Sequence, residues 1–150
     1  MRFYCGTHEE RWLALVAEGP LMVSDTRLRD RKTLPVALDE WVLDSGGFTE
    51  LQKHGGWIST TPREYVSRIR HYASEIGGLV WAAPQDWMCE PIVIAGGQVG
   101  LITFAGTGLS VREHQDRTTG RTRVFKRLEF LNLVGCTGTS EISYRCPIRH

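Results

Sequence analysis

Apolar residues fall along this chain in short dense blocks divided by polar punctuation, and two spacings alternate. Phe3-Tyr4-Cys5, Leu21-Met22-Val23-Ser24, Trp41-Val42-Leu43 and Leu79-Val80-Trp81-Ala82-Ala83 are compact runs. They predict strands near 3–5, 21–24, 40–43 and 79–83, the last apolar enough to be covered on both faces. Helical spacing lies between them. Trp12, Leu13, Val16 and Ala17 make one apolar face over 8–17, closed by Gly19-Pro20. Thr61-Pro62-Arg63-Glu64 is a capping box with proline at the first helical position. Tyr65, Ile69, Tyr72, Ala73 and Ile76 follow it at helical intervals, and Gly77-Gly78 ends the run. Ser110-Val111-Arg112-Glu113 is a second capping box and starts another helix. Phe48 to Gln52 reads as a helical turn, His54-Gly55-Gly56 as a loop, and 25–32 as a short polar helix or surface loop.

Strand and helix in alternation predict a parallel sheet, either an open doubly wound sheet or a (β/α) barrel. In both, ligands sit at the carboxyl ends of the strands. Asp44 and Asp86 fall at such ends and are expected to face one mouth. The run Trp41-Val42-Leu43-Asp44-Ser45-Gly46-Gly47-Phe48 is the densest in candidate chemistry. A strand stops at a carboxylate, two glycines let the backbone approach a ligand without a Cβ, and an aromatic ring follows. That set suits a flat polar heterocycle, with the ring stacking on its face and the acid and amides reading its edge. The plain alternative is a strand–turn–helix junction with an aspartate cap.

Composition changes this picture little. With 150 residues, 41% hydrophobic and 23% charged, the chain is long enough for one domain with a core. The net charge of +1 decides nothing about nucleic acid, but its distribution is uneven. Residues 1–116 hold 11 Lys+Arg against 15 Asp+Glu, a balance of −4, and residues 117–150 hold 7 against 2, a balance of +5. Cys5, Cys89, Cys136 and Cys146 form no CxxC pair, which speaks against a zinc ribbon and for a reducing compartment. Cys146 and His150 are at most half a metal site. No apolar run reaches the ~18 residues that span a bilayer, and the start lacks a signal-peptide pattern, so a cytoplasmic location is expected. The Gly-rich segment 91–108 carries no GxGxxG or Walker pattern, and a nucleotide loop is not expected there.

Asp44-Ser45-Gly46-Gly47-Phe48 resembles the signature of the tRNA-guanine (queuine) transglycosylases. The wider run looks closer to their DNA-acting relatives, the deoxypurine-in-DNA protein A group of phages and bacteria. The matching segments are Phe3-Tyr4 with Gly6-Thr7-His8, Leu43 to Leu51 with His54-Gly55-Gly56-Trp57, Trp81 to Pro91, and Thr107 to Thr118. The resemblance implies a (β/α)8 TIM-type barrel that exchanges a guanine in DNA, or less favourably tRNA, for a 7-deazaguanine base such as preQ0. It implies that Asp44 acts at the reacting base as acid/base or orienting carboxylate. Phe48 would stack on the purine, and Asp86 would accept from guanine N1–H and the exocyclic amine. The amides of Ser45, Gly46 and Gly47 would contact base or sugar, with Cys89 beside the same pocket. Its spacing from Asp86 differs from that in the tRNA enzymes. The physical demands agree: a carboxylate facing two parallel N–H donors selects guanine-type bases, and a stacked purine must be extruded to be reached.

The chain also departs from that pattern. The family barrel needs roughly twice this length, its nucleophilic aspartate comes from a later strand, and the zinc-binding Cys-rich insertion of relatives has no counterpart here. The expectation is therefore an incomplete, half-barrel α/β fold over 1–118 with an irregular basic tail over 119–150. It would hold no cofactor of its own, and it would either need a second chain to complete the barrel or be poorly stable alone. Whether such a chain is itself an enzyme stays open. The alternatives are a non-catalytic half-barrel that holds nucleic acid or a partner, and an unrelated glycosidase using Asp44 and Asp86 as its carboxylate pair. His71 and His114 are expected on helix surfaces, Trp81 in the core, and Trp87 near the pocket. Arg29 to Lys32 is expected to be a solvated surface.

Overall fold

The computed structural model describes residues 3–127. Cys136, Cys146 and His150 lie outside them, and with them the half metal site. Four strands, β1 (Cys5–Thr7), β2 (Leu21–Ser24), β3 (Trp41–Asp44) and β4 (Leu79–Ala82), pair in parallel in the order β1-β2-β3-β4. The register aligns Leu21 with Trp41, Val23 with Leu43, and Ser24 with Asp44, so the polar strand ends come level. Strand order follows chain order without reversal, and the described strands close no barrel.

One face of the sheet is sealed. Helix α3 (Pro62–Glu75) starts from the expected box: Glu64 N–H donates to Thr61 Oγ1 at 3.3 Å, and Thr61 N–H donates to the Glu64 carboxylate at 2.8 Å. Such a cap is worth about 1 kcal/mol, but packing decides the helix. Tyr65, Val66, Ile69, Tyr72 and the following Ile76 are all buried against Leu21, Val23, Trp41, Leu43 and Leu79. Each such side chain contributes about 1.5–3 kcal/mol. The helix stops at Gly77 and Gly78, both at positive φ. A Cβ on Gly78 would lie 2.7 Å from the Asp39 carbonyl, so only glycine lets the chain pass from α3 into β4 this close to the segment before β3.

The opposite face is only partly covered. Val42 is buried there, but Met22, Val80 and Trp81 are half-buried, and Tyr4 meets the Trp81 ring edge-on at 6.1 Å. Trp81 was expected in the core and β4 covered on both sides. Sequence density reports apolar character and is silent about whether anything lies opposite.

Several elements differ from expectation. The helix over 8–17 is a short 3-10 turn, Glu10–Ala14, with Leu13 buried and Trp12 exposed. Leu13 is buried in the core and Val16 packs against it, while Trp12 stays outside. The first strand lies two residues later, pairing Cys5 with Leu21. The Gly-rich segment contains a short helix, α4 (Pro91–Ala95), and an antiparallel hairpin, β5 (Gly97–Val99) with β6 (Ile102–Phe104). Helix α5 (Val111–Arg127) begins at its expected cap but runs through Gly120, so the described part of the segment after Thr118 is helical. The remaining helices are α1 (Asp25–Leu28) and α2 (Gly47–His54).

Candidate nucleic-acid base site

Asp44 is the last residue of β3, and its Oδ2 accepts from the Gly46 N–H at 3.0 Å. This short loop reverses the chain into α2. Gly46 sits at φ +79°, and a Cβ there would lie 2.6 Å from Thr26 Cγ2. The chain therefore needs glycine at this bend on two counts, backbone conformation and space.

Asp86 lies four residues beyond β4. It comes back to the same loop: Ser45 Oγ donates to its Oδ1 at 3.4 Å, and a Cβ on Gly47 would lie 2.7 Å from that oxygen. The structure thus brings Asp44, Ser45, Gly46, Gly47 and Asp86 together at the carboxyl ends of two adjacent strands. Burial raises the Asp86 pKa above its ordinary value of 3.8. The nearby Asp44 and Glu90 charges push the same way, while its own backbone N–H and the Ser45 hydroxyl oppose them.

Phe48 opens α2 beside this pair, half its ring exposed, with its edge against Phe104 at 5.6 Å between centroids. Cys89 sits half-buried in the loop after Asp86, where its thiol lies 3.7 Å from the Trp87 carbonyl.

The tryptophans support this loop. Trp57 is buried and donates Nε1–H to the Asp86 carbonyl at 2.7 Å. Trp87, expected near the pocket, is 6% exposed and packs with Leu51, Trp57, Val93 and Phe104 in a second core. Helix α5 closes that core from outside. Arg117 lies over the Trp87 ring at 4.6 Å, and Thr118 Oγ1 accepts from the Trp87 N–H at 2.8 Å. His114 was expected on the surface and is 0% exposed. Its Nδ1 lies 2.6 Å from the Met88 carbonyl and its Nε2 2.7 Å from Thr107 Oγ1. Helical spacing alone hid it, because the apolar face of α5 is short and a histidine completes it.

Two buried acids were not singled out by the sequence. Asp25, at the end of β2, receives two hydrogen bonds from Arg68, at 2.9 and 2.6 Å, and one from Tyr72 at 3.0 Å. Glu50 receives Arg29 at 2.8 Å and Ser59 at 2.6 Å on one oxygen. Its burial raises the pKa, but these two partners outweigh that and hold it low. The signal for Asp25 was present: it comes directly after the last residue of β2, much as Asp44 closes β3. Arg29, Asp30, Ser59, Thr60 and Arg68 line a shallow depression of about 280 Å³. Both guanidiniums there are committed to buried carboxylates, so it offers little to a phosphate. Arg31 pairs with Glu10 at 2.6 Å and Asp30 is solvated, as expected for this surface run, but Arg29 departs from it by turning inward to the buried Glu50.

Among the described residues, no group of three or more His, Cys, Asp or Glu is placed to hold a metal ion. No helix there is long and apolar enough to cross a membrane. A family model described as DeoxyPurine in DNA protein A matches residues 1–134. No curated protein and no solved structure matches the chain.

Proposed function

The chain belongs to the deoxypurine-in-DNA protein A family, and from that premise we propose that its Asp44–Asp86 site holds a guanine extruded from DNA for exchange with a 7-deazaguanine. The observation that carries this is the convergence of two carboxylates on one glycine loop beside a half-exposed ring. In this reading Asp86 accepts from guanine N1–H and the exocyclic amine. Those donors offset the burial and like charge that raise its pKa. Asp44 acts at the reacting base, orienting it or moving its proton. Phe48 stacks on the purine, with Phe104 bracing the ring from its edge. The amides of Ser45, Gly46 and Gly47 line the approach, and Cys89 stands at its rim.

We further read the four-stranded sheet as part of a (β/α) barrel of the transglycosylase type. Its sequential parallel order and half-covered inner face support this. The strands that complete the barrel would carry the nucleophilic carboxylate, and a second chain is one source of them.

The test is incorporation of labelled 7-deazaguanine into DNA by the complete system. Asp44→Ala and Asp86→Ala should each abolish it while circular dichroism stays unchanged. Wild-type incorporation in both variants would remove the proposal. A chain that merely holds nucleic acid would instead show salt-sensitive DNA binding unaffected by Asp44→Ala.

A further inference from the structure

The β5–β6 hairpin ends in an apolar tip that no described residue covers. Leu101 is 100% exposed, Val99 58% and Ile102 47%, and Gly100 between the strands takes a positive φ of +59°. Exposing three aliphatic side chains at one turn is unfavourable unless something covers them.

The root of the hairpin is firmly held beside the candidate base site. Gln52 Nε2–H donates to the Thr103 carbonyl at 2.6 Å, and the Ala105 N–H donates to the Gln52 carbonyl at 3.0 Å. Phe104 is buried in the second core and touches Phe48. With about 3.4 Å of rise per residue, Leu101 stands roughly 10 Å beyond Phe104, on a hairpin fixed at its base.

The charges around it favour one occupant. No Asp or Glu occurs anywhere in residues 91–112. The exposed Arg117 lies over Trp87, in the same apolar core as Phe104. A neutral apolar point, with no carboxylate in its own segment to repel a phosphate and rooted in the core that also carries Arg117 on its Trp87, is suited to entering a base stack between phosphate backbones.

We propose that the β5–β6 hairpin is a wedge that enters duplex DNA and fills, with Leu101, the gap left by the extruded nucleotide. This rests on the base-exchange reading above and adds the element that opens the stack. Phe48 would receive the displaced purine while Leu101 keeps its former neighbours apart.

The experiment uses the full chain and two DNA probes. One is an intact duplex with 2-aminopurine, which brightens on unstacking, next to a central guanine. The other is the same duplex gapped at that step, where the unstacking is already complete. The wild-type chain should raise the emission of the intact duplex. Leu101→Ser should abolish that rise and weaken binding to the intact duplex by roughly tenfold, the loss expected when unstacking goes uncompensated. Both proteins should bind the gapped duplex equally, and their thermal melts should coincide because Leu101 is fully exposed.

A Leu101→Ser chain that brightens the intact duplex as the wild type does would overturn the wedge. So would a variant that changes only the elution volume of the chain, which would assign the tip to a protein contact. A wild-type chain that binds both duplexes without any brightening would overturn the wedge and leave the carboxylate test to judge base exchange. Failure to bind either duplex would remove both.

Discussion

Asp86 is the residue on which chemistry and stability pull in opposite directions. Its folded-state pKa is raised by burial and by the facing Asp44. The folded chain therefore keeps this proton at pH values just above 3.8, where the unfolded chain has lost it. Stability falls as pH rises through that window, and above it the penalty is fully present. Asp86→Asn should remove the penalty, so the variant should melt higher than wild type at neutral pH while losing incorporation. Melting both proteins across the acid range checks this: the gap should open as pH rises, and an equal gap at both ends would contradict it. Chain order showed this pair well, since both acids follow apolar strands and the glycines after Asp44 mark a close approach. It could not show that Ser45 links them, or that Gly47 lies against Asp86, because those contacts join segments about forty residues apart in sequence.

Among the elements, α5 matters most to the site without lining it. His114, Arg117 and Thr118 grip the loop that runs from Asp86 to Cys89. His114→Ala would leave a buried cavity and strip the Met88 carbonyl and Thr107 hydroxyl of their partner. The expected cost is about 2–4 kcal/mol, read from urea unfolding. Incorporation should suffer beyond that loss even under conditions where the variant stays folded, because the Asp86 loop loses its strut. A variant with wild-type rates and a wild-type midpoint would show that the contacts are incidental. The capping boxes at Thr61 and Ser110 were legible because they are local, with donor and acceptor three residues apart. The hairpin was not. Its strands are only three residues long, and the glycines around them read equally well as a loop.

At the scale of the whole molecule, the parallel sheet followed from the alternation of spacings, while its extent did not. Strand signals say which residues pair, not how many neighbours arrive. Among the described residues β1 and β4 each have one strand neighbour, and Met22, Val80 and Trp81 are incompletely covered. Open edges beside apolar surface favour association. The chain by itself is expected to associate as its concentration rises and to melt broadly. Sedimentation velocity over a dilution series tests this, and a monodisperse monomer with one sharp cooperative melt would count against it. The hairpin's foot has a consequence of another kind. Gly96 and Gly106 approach so closely that a Cβ on either would lie 3.0–3.1 Å from the other's backbone, and Gly55 leans on Gly106 from the side. These three positions leave no room for any side chain, whereas the tip between them meets no neighbour among the described residues. Changes of length or side chain at the point of the hairpin should therefore leave the fold intact, as an exchangeable blade does on a handle that must stay glycine.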